Sequence, residues 1–354
     1  AMPNTSPAID NATVVDFIAQ QARAAGPVRV LCFGAVTRGR AGKELADMEE
    51  LAKAGVVGFT DDGAPVATGK LMQMALLYAD QLGLPVSDHC EDHGITKGLG
   101  IHDGWVALRL GLEGYPSAAE ESIIARDIAL AEMTGGHFHV AHISTAGGVE
   151  QVRQAKARGL RVTAEATPHH LALTEAWVLG GYGANRAEAP LTTLAYETRA
   201  KVSPPLRSES DRQALIAGLT DGTIDAIATD HAPHTFGDKA SPFEEAAVGI
   251  SVLETALPSL LGLVDAGLID LHTLVHRLTM GPASFLGPRY AELATLRQGT
   301  PADLVLFDPK ETWTVDVSQF ASKGKNSPLD GMEVRGRVKM TIAQGSIAYD
   351  GVTQ

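Results

Sequence analysis

Disulfides, basic patches and long apolar runs are all missing from this chain, and each absence removes a class of protein. Its 354 residues include two cysteines, Cys32 and Cys90. That is too few for a disulfide framework, so a reducing compartment, the cytoplasm, is expected. Acidic residues outnumber basic ones, 42 to 29, for a formal net charge of −13. No run of Lys and Arg and no aromatic-basic interleaving offsets that charge, so neither nucleic acid nor an anionic membrane is an expected partner. No apolar stretch is long enough to span a bilayer, and no charged-then-apolar leader opens the chain. What remains, 45% hydrophobic and 20% charged residues, is the composition of a soluble globular enzyme.

Short apolar runs alternate with amphipathic segments along most of the sequence. The runs at 28–36, 55–60, 84–89, 137–143, 161–166 and 225–230 are rich in Val, Ile and Phe and bracketed by Gly or Pro. They are nearly continuous in hydrophobicity, as strands covered on both faces are. Helical spacing marks 12–25, 43–54, 69–82, 117–133, 147–159 and 210–219. Ser117 followed by Glu120 reads as a capping box at the start of one of these. Strand-helix alternation predicts an α/β fold with a parallel sheet. Six strands are visible where a closed (β/α)8 barrel has eight. The opening AMPNTSPAID lacks an initiator Met and reads as the exit from a strand. The expectation is therefore a (β/α)8 barrel over residues 1–290 that lacks the first strand and most of the second. Residues 291–354 are short, β-rich and turn-punctuated, and are expected to be the C-terminal part of a small β domain. A loop is expected around 322–331.

In such a barrel the chemistry gathers at the C-terminal ends of the strands. Asp61 and Asp62 follow one run, His89 closes another, and His142 follows a third. His169 and His170 follow a fourth, and Asp230 ends a fifth, with His234 close behind. A carboxylate buried without a partner is expensive, so Asp230 needs a cation, a metal or a reacting group. Imidazole nitrogens and carboxylate oxygens are the ligand set of catalytic Zn²⁺, and two metals sharing a carboxylate suit the same inventory. A lone strand-end histidine is ordinarily a hydrogen-bonded structural residue. Convergence on one face favours ligation for His89, His142 and Asp230, while His169 and His170 divide between ligation and scaffolding. His137 and His139, at i, i+2 on one strand face, imitate a ligand pair but sit at the wrong end of their strand. His93, His102, His231, His272 and His276 carry no expected role. Acidic neighbours disfavour a nucleophilic Cys90, and the glycines of 145–148 are a weak phosphate signal.

These residues resemble the dihydroorotases of the amidohydrolase superfamily, in their bacterial type I branch. ATDHAPHTFGDK (228–239) is similar to that family's second signature. MPNTSP (2–7), FTDDG (59–63), DHCED (88–92), VAHIST (140–145), SPPLRS (203–208) and SPFEEAAVGI (241–250) resemble further blocks in the family's order, and GTPADLVLFDP and NSPLDG resemble its C-terminal tail. The resemblance covers essentially the whole chain. It implies zinc-dependent, reversible interconversion of N-carbamoyl-L-aspartate and L-dihydroorotate, the third step of pyrimidine synthesis. It also implies Asp62, His89 and His142 as metal ligands, with Asp62 the bridging carboxylate, and Asp230 as ligand and catalytic acid/base. Asn4 and His234 are implied substrate contacts, with Val248 and Gly249 the backbone that reads the pyrimidine ring. Two departures stand out. The family's first signature, Asp-x-His-x-His-x-Arg, is absent, so one of two zinc sites is expected to be incomplete and activity impaired. Ser203 stands where many members carry Asn. Hydantoinases bridge their metals with a carboxylated Lys; here the corresponding strand ends in Thr60-Asp61-Asp62-Gly63. Expected partners are the small-molecule substrate, a second copy in a homodimer, and aspartate transcarbamoylase. Two alternatives stay open: a non-catalytic subunit partnering aspartate transcarbamoylase, and another cyclic amidohydrolase, an allantoinase or hydantoinase.

Overall fold

The computed structural model describes residues 1–96, 98–180, 191 and 194–352. Four parallel strands stand side by side in chain order: β1 (Val86–Asp88), β2 (Phe138–Val140), β3 (Val162–Ala166) and β4 (Ala226–Ile227). Their register is set by Val86 opposite Phe138, Phe138 opposite Val162, and Glu165 opposite Ala226. The run extends backwards through parallel bridges from Val86 to Phe59 and from Phe59 to Gly34. Six chain segments thus line up in sequence order, all pointing the same way. Long connections carrying helices join them, as parallel pairing requires.

The helices cover the sheet because their apolar faces are buried against it. Leu76, Ile124, Val152 and Leu215 come from four of them and join Phe59, Val86, Phe138, Val140 and Ala164 in one fully buried cluster. Helices Ala12–Ala25 and Gly69–Gln81 follow the sequence pattern closely. Asn11 and Thr68 cap them, accepting bonds from Val14 N and Leu71 N.

Three expectations need correction. Segment 28–36 enters the sheet only in its second half. Val28 and Val30 are exposed, so they gain nothing from pairing there. Segment 43–54 is helical only over Met48–Ala54, where Asp47 caps by accepting from Glu50 N at 2.9 Å. The residues before it instead form a bridge between Thr37 and Leu45. Ser117 has helical dihedrals and makes no cap bond. Its presumed partner Glu120 turns inward to Ser144 and Thr145. A reciprocal capping box does occur elsewhere, between Thr235 and Asp238.

A three-stranded antiparallel sheet follows, β5 (Leu304–Thr314), β6 (Glu333–Ala343) and β7 (Ser346–Asp350). The first of these strands runs unbroken through Pro309. A register shift between Asp308 and Thr312 absorbs Pro309, which has no N–H to donate. The side chain of Asp308 accepts from Lys310 N and Glu311 N across the irregularity. Between β5 and β6 the chain returns to the barrel, and Asn326 is buried against residues 232–251. Among the described residues no helix is long and apolar enough to cross a membrane.

Candidate metal centre and active-site pocket

Asp62, His89, His142 and Asp230 all lie just beyond the C-terminal ends of sheet segments, where side chains leave the packed interior. His142 and Asp230 hold φ angles of 33° and 46°, in the left-handed region that non-glycine residues rarely adopt. Such strain beyond the ends of two strands of one sheet is the kind that concentrates at functional sites.

Three of the four converge. Asp62, His89 and His142 each offer a ligand atom, all within 4.8 Å of one another, and all three residues are buried. His89 Nδ1 lies 2.9 Å from His142 Nε2, and that same nitrogen is 3.6 Å from Asp62 Oδ1. Asn4 donates to the other Asp62 oxygen at 3.1 Å. Asp61, one residue earlier, is turned away. It accepts from Thr37 N at 3.0 Å and Thr37 Oγ1 at 2.5 Å, a structural tie.

Burial alone would depress the His142 pKa; the Asp62 bond and the charges of Asp230, Asp62 and Glu165 outweigh it and raise it to about 9. Burial likewise works against ionising Asp62, but the His142 bond and the two histidine charges hold its pKa below the usual carboxylate value. The pocket therefore retains positive charge between its carboxylates, which is the electrostatic demand a divalent cation satisfies. The donor set suits zinc, and the far nitrogen of His89 rests on a carboxylate, Glu91, as metal-bound imidazoles ordinarily do. These residues fit a metal.

Asp230 is half-buried and lies outside the three-ligand cluster. Burial raises its pKa, the His142 charge opposes this, and Asp62 adds to the rise. Its Oδ2 is 4.0 Å from His169 Nε2. Neither ring nitrogen of His169 has a hydrogen-bond partner among the described residues. His170 is different: Thr167 Oγ1 lies 2.8 Å from Nδ1, and Nε2 donates to Pro204 O at 3.0 Å. It is scaffolding, and burial holds it neutral with a pKa near 3.

One cavity of about 590 Å³ is walled by Asn4, Asp62, His89, His142, Ser203, Asp230, His234, Val248 and Gly249. His234 Nε2 donates to Val248 O at 2.8 Å. Gly249 has φ 141°, and a Cβ there would come within 2.6 Å of the Ala232 Cβ. Only glycine allows that approach.

The remaining motifs resolve into structure. His137 Nε2 and His139 Nδ1 share the Thr163 hydroxyl at 2.9 and 2.8 Å, and both rings lie against Phe285. The glycines of 145–148 start a helix capped by Thr145, and Asp211 accepts from Ala146 N at 2.9 Å. An acid in that position repels phosphate. Cys90 is buried beside Asp88 and Asp127, a second ligand-like group. Arg126 already binds Asp127 at 2.7 Å and lies 3.6 Å from Asp88. Burial first, then the surrounding acids, push the Cys90 thiol pKa far up.

Sequence reasoning missed three groups. Glu91 accepts from His89 at 2.7 Å and from Thr96 Oγ1 at 2.5 Å; its place two residues after a ligand was the available signal. Glu120 accepts from Ser144 N, Thr145 N and Thr145 Oγ1, near 3 Å each, and also from the Ser144 hydroxyl. It fixes the loop just after His142, with buried Arg207 3.8 Å away. Asn326 joins the 232–234 and 249–251 segments.

Residues 1–147 match the family model described as dihydro-orotase-like. Among curated proteins, the dihydroorotase of Anaeromyxobacter sp. (strain K) is 48% identical over 351 residues, covering 99% of this chain and 77% of that protein. The dihydroorotase of Syntrophus aciditrophicus (strain SB) is 45% identical over 349 residues, covering 98% of this chain and 78% of that protein. Among solved structures, the L-hydantoinase (dihydropyrimidinase) of Arthrobacter aurescens superposes with a TM-score of 0.82 at 26% identity, covering 99% and 76% of the two chains. The dihydropyrimidinase of Brevibacillus agri NCHU1002, at 22% identity and a TM-score of 0.80 over 99% and 76%, shares the barrel fold.

Proposed function

The chain belongs to the dihydroorotase family, and on that premise we propose how its pocket interconverts N-carbamoyl-L-aspartate and L-dihydroorotate in pyrimidine biosynthesis. The enzyme is a cyclic amide hydrolase. Asp62, His89 and His142 would hold a divalent metal, zinc, and Asp230, lining the same cavity, offers a further carboxylate. When bound, the metal polarises the ring carbonyl as a Lewis acid and lowers the pKa of water toward about 7.

Ring opening adds water across the amide bond, so a proton must leave the attacking water and another must reach the departing ring nitrogen. Asp230 is the group suited to both transfers. It faces the same cavity as the ligand cluster, and burial raises its pKa above the ordinary carboxylate value. In the synthetic direction the transfers reverse. Asn4 and His234 orient the substrate, and the backbone of Val248–Gly249 meets the polar edge of the ring.

The observation that carries this reading is the convergence of the Asp62, His89 and His142 ligand atoms within 4.8 Å in the cavity that Asp230 also lines. Asp230→Asn tests it. Turnover of dihydroorotate should fall at least ~100-fold, the low end for a lost general acid/base, with metal content and fold unchanged. Retained turnover would refute the assignment. The reading extends to the cytoplasm as compartment, to which two free, buried cysteines are suited. It extends also to a homodimer or a complex with aspartate transcarbamoylase, each checked by sizing the chain alone and mixed.

A further inference from the structure

Lys239 closes the ATDHAPHTFGDK block yet touches none of the groups assigned to chemistry. It is buried, and its ammonium donates to three backbone carbonyls: Thr198 O at 2.9 Å, Lys201 O at 3.0 Å and Ala247 O at 2.6 Å. Three donors meeting three carbonyls is the full capacity of an ammonium group. Burying a charge this way is expensive, and a lysine that only filled space would be replaced by an apolar side chain without loss. Burial and neighbouring Lys201, opposed by Glu197, pull its pKa down to about 8.

Of the three carbonyls it grips, one adjoins the segment that forms the substrate wall and a second is hydrogen-bonded to that segment. Ala247 immediately precedes Val248–Gly249. The Lys201 carbonyl accepts from Gly249 N at 3.0 Å as well as from Lys239. Lys201 itself donates to Glu244 O and Ala246 O, at 3.0 and 2.8 Å. Through a separate set of bonds, the buried amide of Asn326 is fully used. Its oxygen accepts from His234 N at 2.8 Å and Ser251 Oγ at 2.9 Å, and its nitrogen donates to Ala232 O and Gly249 O at 3.2 and 3.0 Å.

We propose that Lys239 and Asn326 are positioning residues for substrate: a polar clasp that fixes the spacing between His234 and Val248–Gly249 and so sets affinity for the pyrimidine ring. The proposal rests on the reading of that segment as the ring-binding wall. Neither side chain reaches the metal ligands, so the clasp acts on binding and leaves metal loading alone. Its partners are main-chain atoms, so it governs shape and not charge at the wall.

The test uses the full chain loaded with zinc and orotate, the ring-unsaturated analogue that hydrolysis does not consume, with dissociation constants measured by calorimetry. Gly249→Ala probes the wall; Lys239→Met and Asn326→Ala probe the clasp. Lys239→Gln and Asn326→Ser carry the test if the first variants do not fold. We expect orotate affinity to fall tenfold or more in the wall variant and in both clasp variants, with zinc content equal to the parent's. Orotate affinity within twofold of the parent in the clasp variants, with Gly249→Ala weakened, overturns the clasp and leaves the wall standing. Unchanged affinity in Gly249→Ala, or no orotate binding by the parent chain, overturns the wall on which the clasp depends. Loss of zinc from the folded clasp variants also overturns the proposal, because it places their role at the metal.

Discussion

His89 and Glu91 form a buried pair two residues apart, with His89 Nε2 2.7 Å from Glu91 Oε2. The opposite nitrogen of the ring faces His142 at 2.9 Å. One imidazole thus carries a carboxylate on its outer side and a candidate metal position on its inner side. Burial would raise the Glu91 pKa, but the bonds from His89 and Thr96 hold it down at about 2, so this carboxylate is charged throughout the physiological range.

A carboxylate in that place fixes the ring's orientation and tautomer and increases its basicity as a ligand. Glu91→Gln should therefore weaken zinc binding about 10- to 100-fold, measured by competition with a chromogenic chelator. Affinity equal to the parent's would show the pair to be structural only.

Glu120 should matter to stability where Ser117 does not. Glu120 accepts four bonds from residues 144–145 and is 3% exposed at its side chain beside Arg207. Glu120→Gln replaces an acceptor oxygen by a donor facing other donors, and should cost about 2–4 kcal/mol in chemical denaturation. Ser117→Ala removes no cap bond and should stay within ~0.5 kcal/mol. The reverse ranking would restore the capping-box reading.

Glu175 gives the chain a pH-dependent weakness. Burial raises its pKa to about 7 from 4.5; a bond from Val106 N and the charge of Arg207 oppose this, while Asp211 reinforces it. A carboxyl with a raised folded pKa stabilises fully below its unfolded value and loses that contribution as pH rises through the folded value. Between pH 4.5 and 7 the loss is on the order of 3 kcal/mol. Glu175→Gln removes the titration, so the variant's melting temperature should exceed the parent's at pH 8 and converge on it near pH 5. A gap that widens toward low pH would contradict the sign.

Much of this arrangement was legible in sequence because it rests on local pattern. The apolar runs ending in Asp62, His89, His142 and Asp230 declare both a covered strand and the polar group it delivers. Helix 12–25 follows from its spacing and the Asn11 cap. What escaped depends on partners distant along the chain. Asn326 bonds groups 75 to 94 residues away, and Lys239 reaches the Thr198 carbonyl 41 residues back. Main-chain carbonyls leave no residue pattern, so such contacts have no signature. Glu120 was misread because its spacing from Ser117 fits a cap while its burial, set by tertiary packing, points it elsewhere. Segment 43–54 was over-extended because Leu45 keeps helical spacing although the Thr37 bridge claims it.

X-ray absorption at the zinc edge, on the zinc-loaded parent and on His142→Ala, bears most directly on the metal centre. Two imidazole nitrogens and at least one carboxylate oxygen at roughly 2.0–2.2 Å are expected in the parent, with one imidazole lost in the variant. A parent spectrum without imidazole scattering, or one unchanged by removing His142, would contradict the assignment of Asp62, His89 and His142 as the ligands.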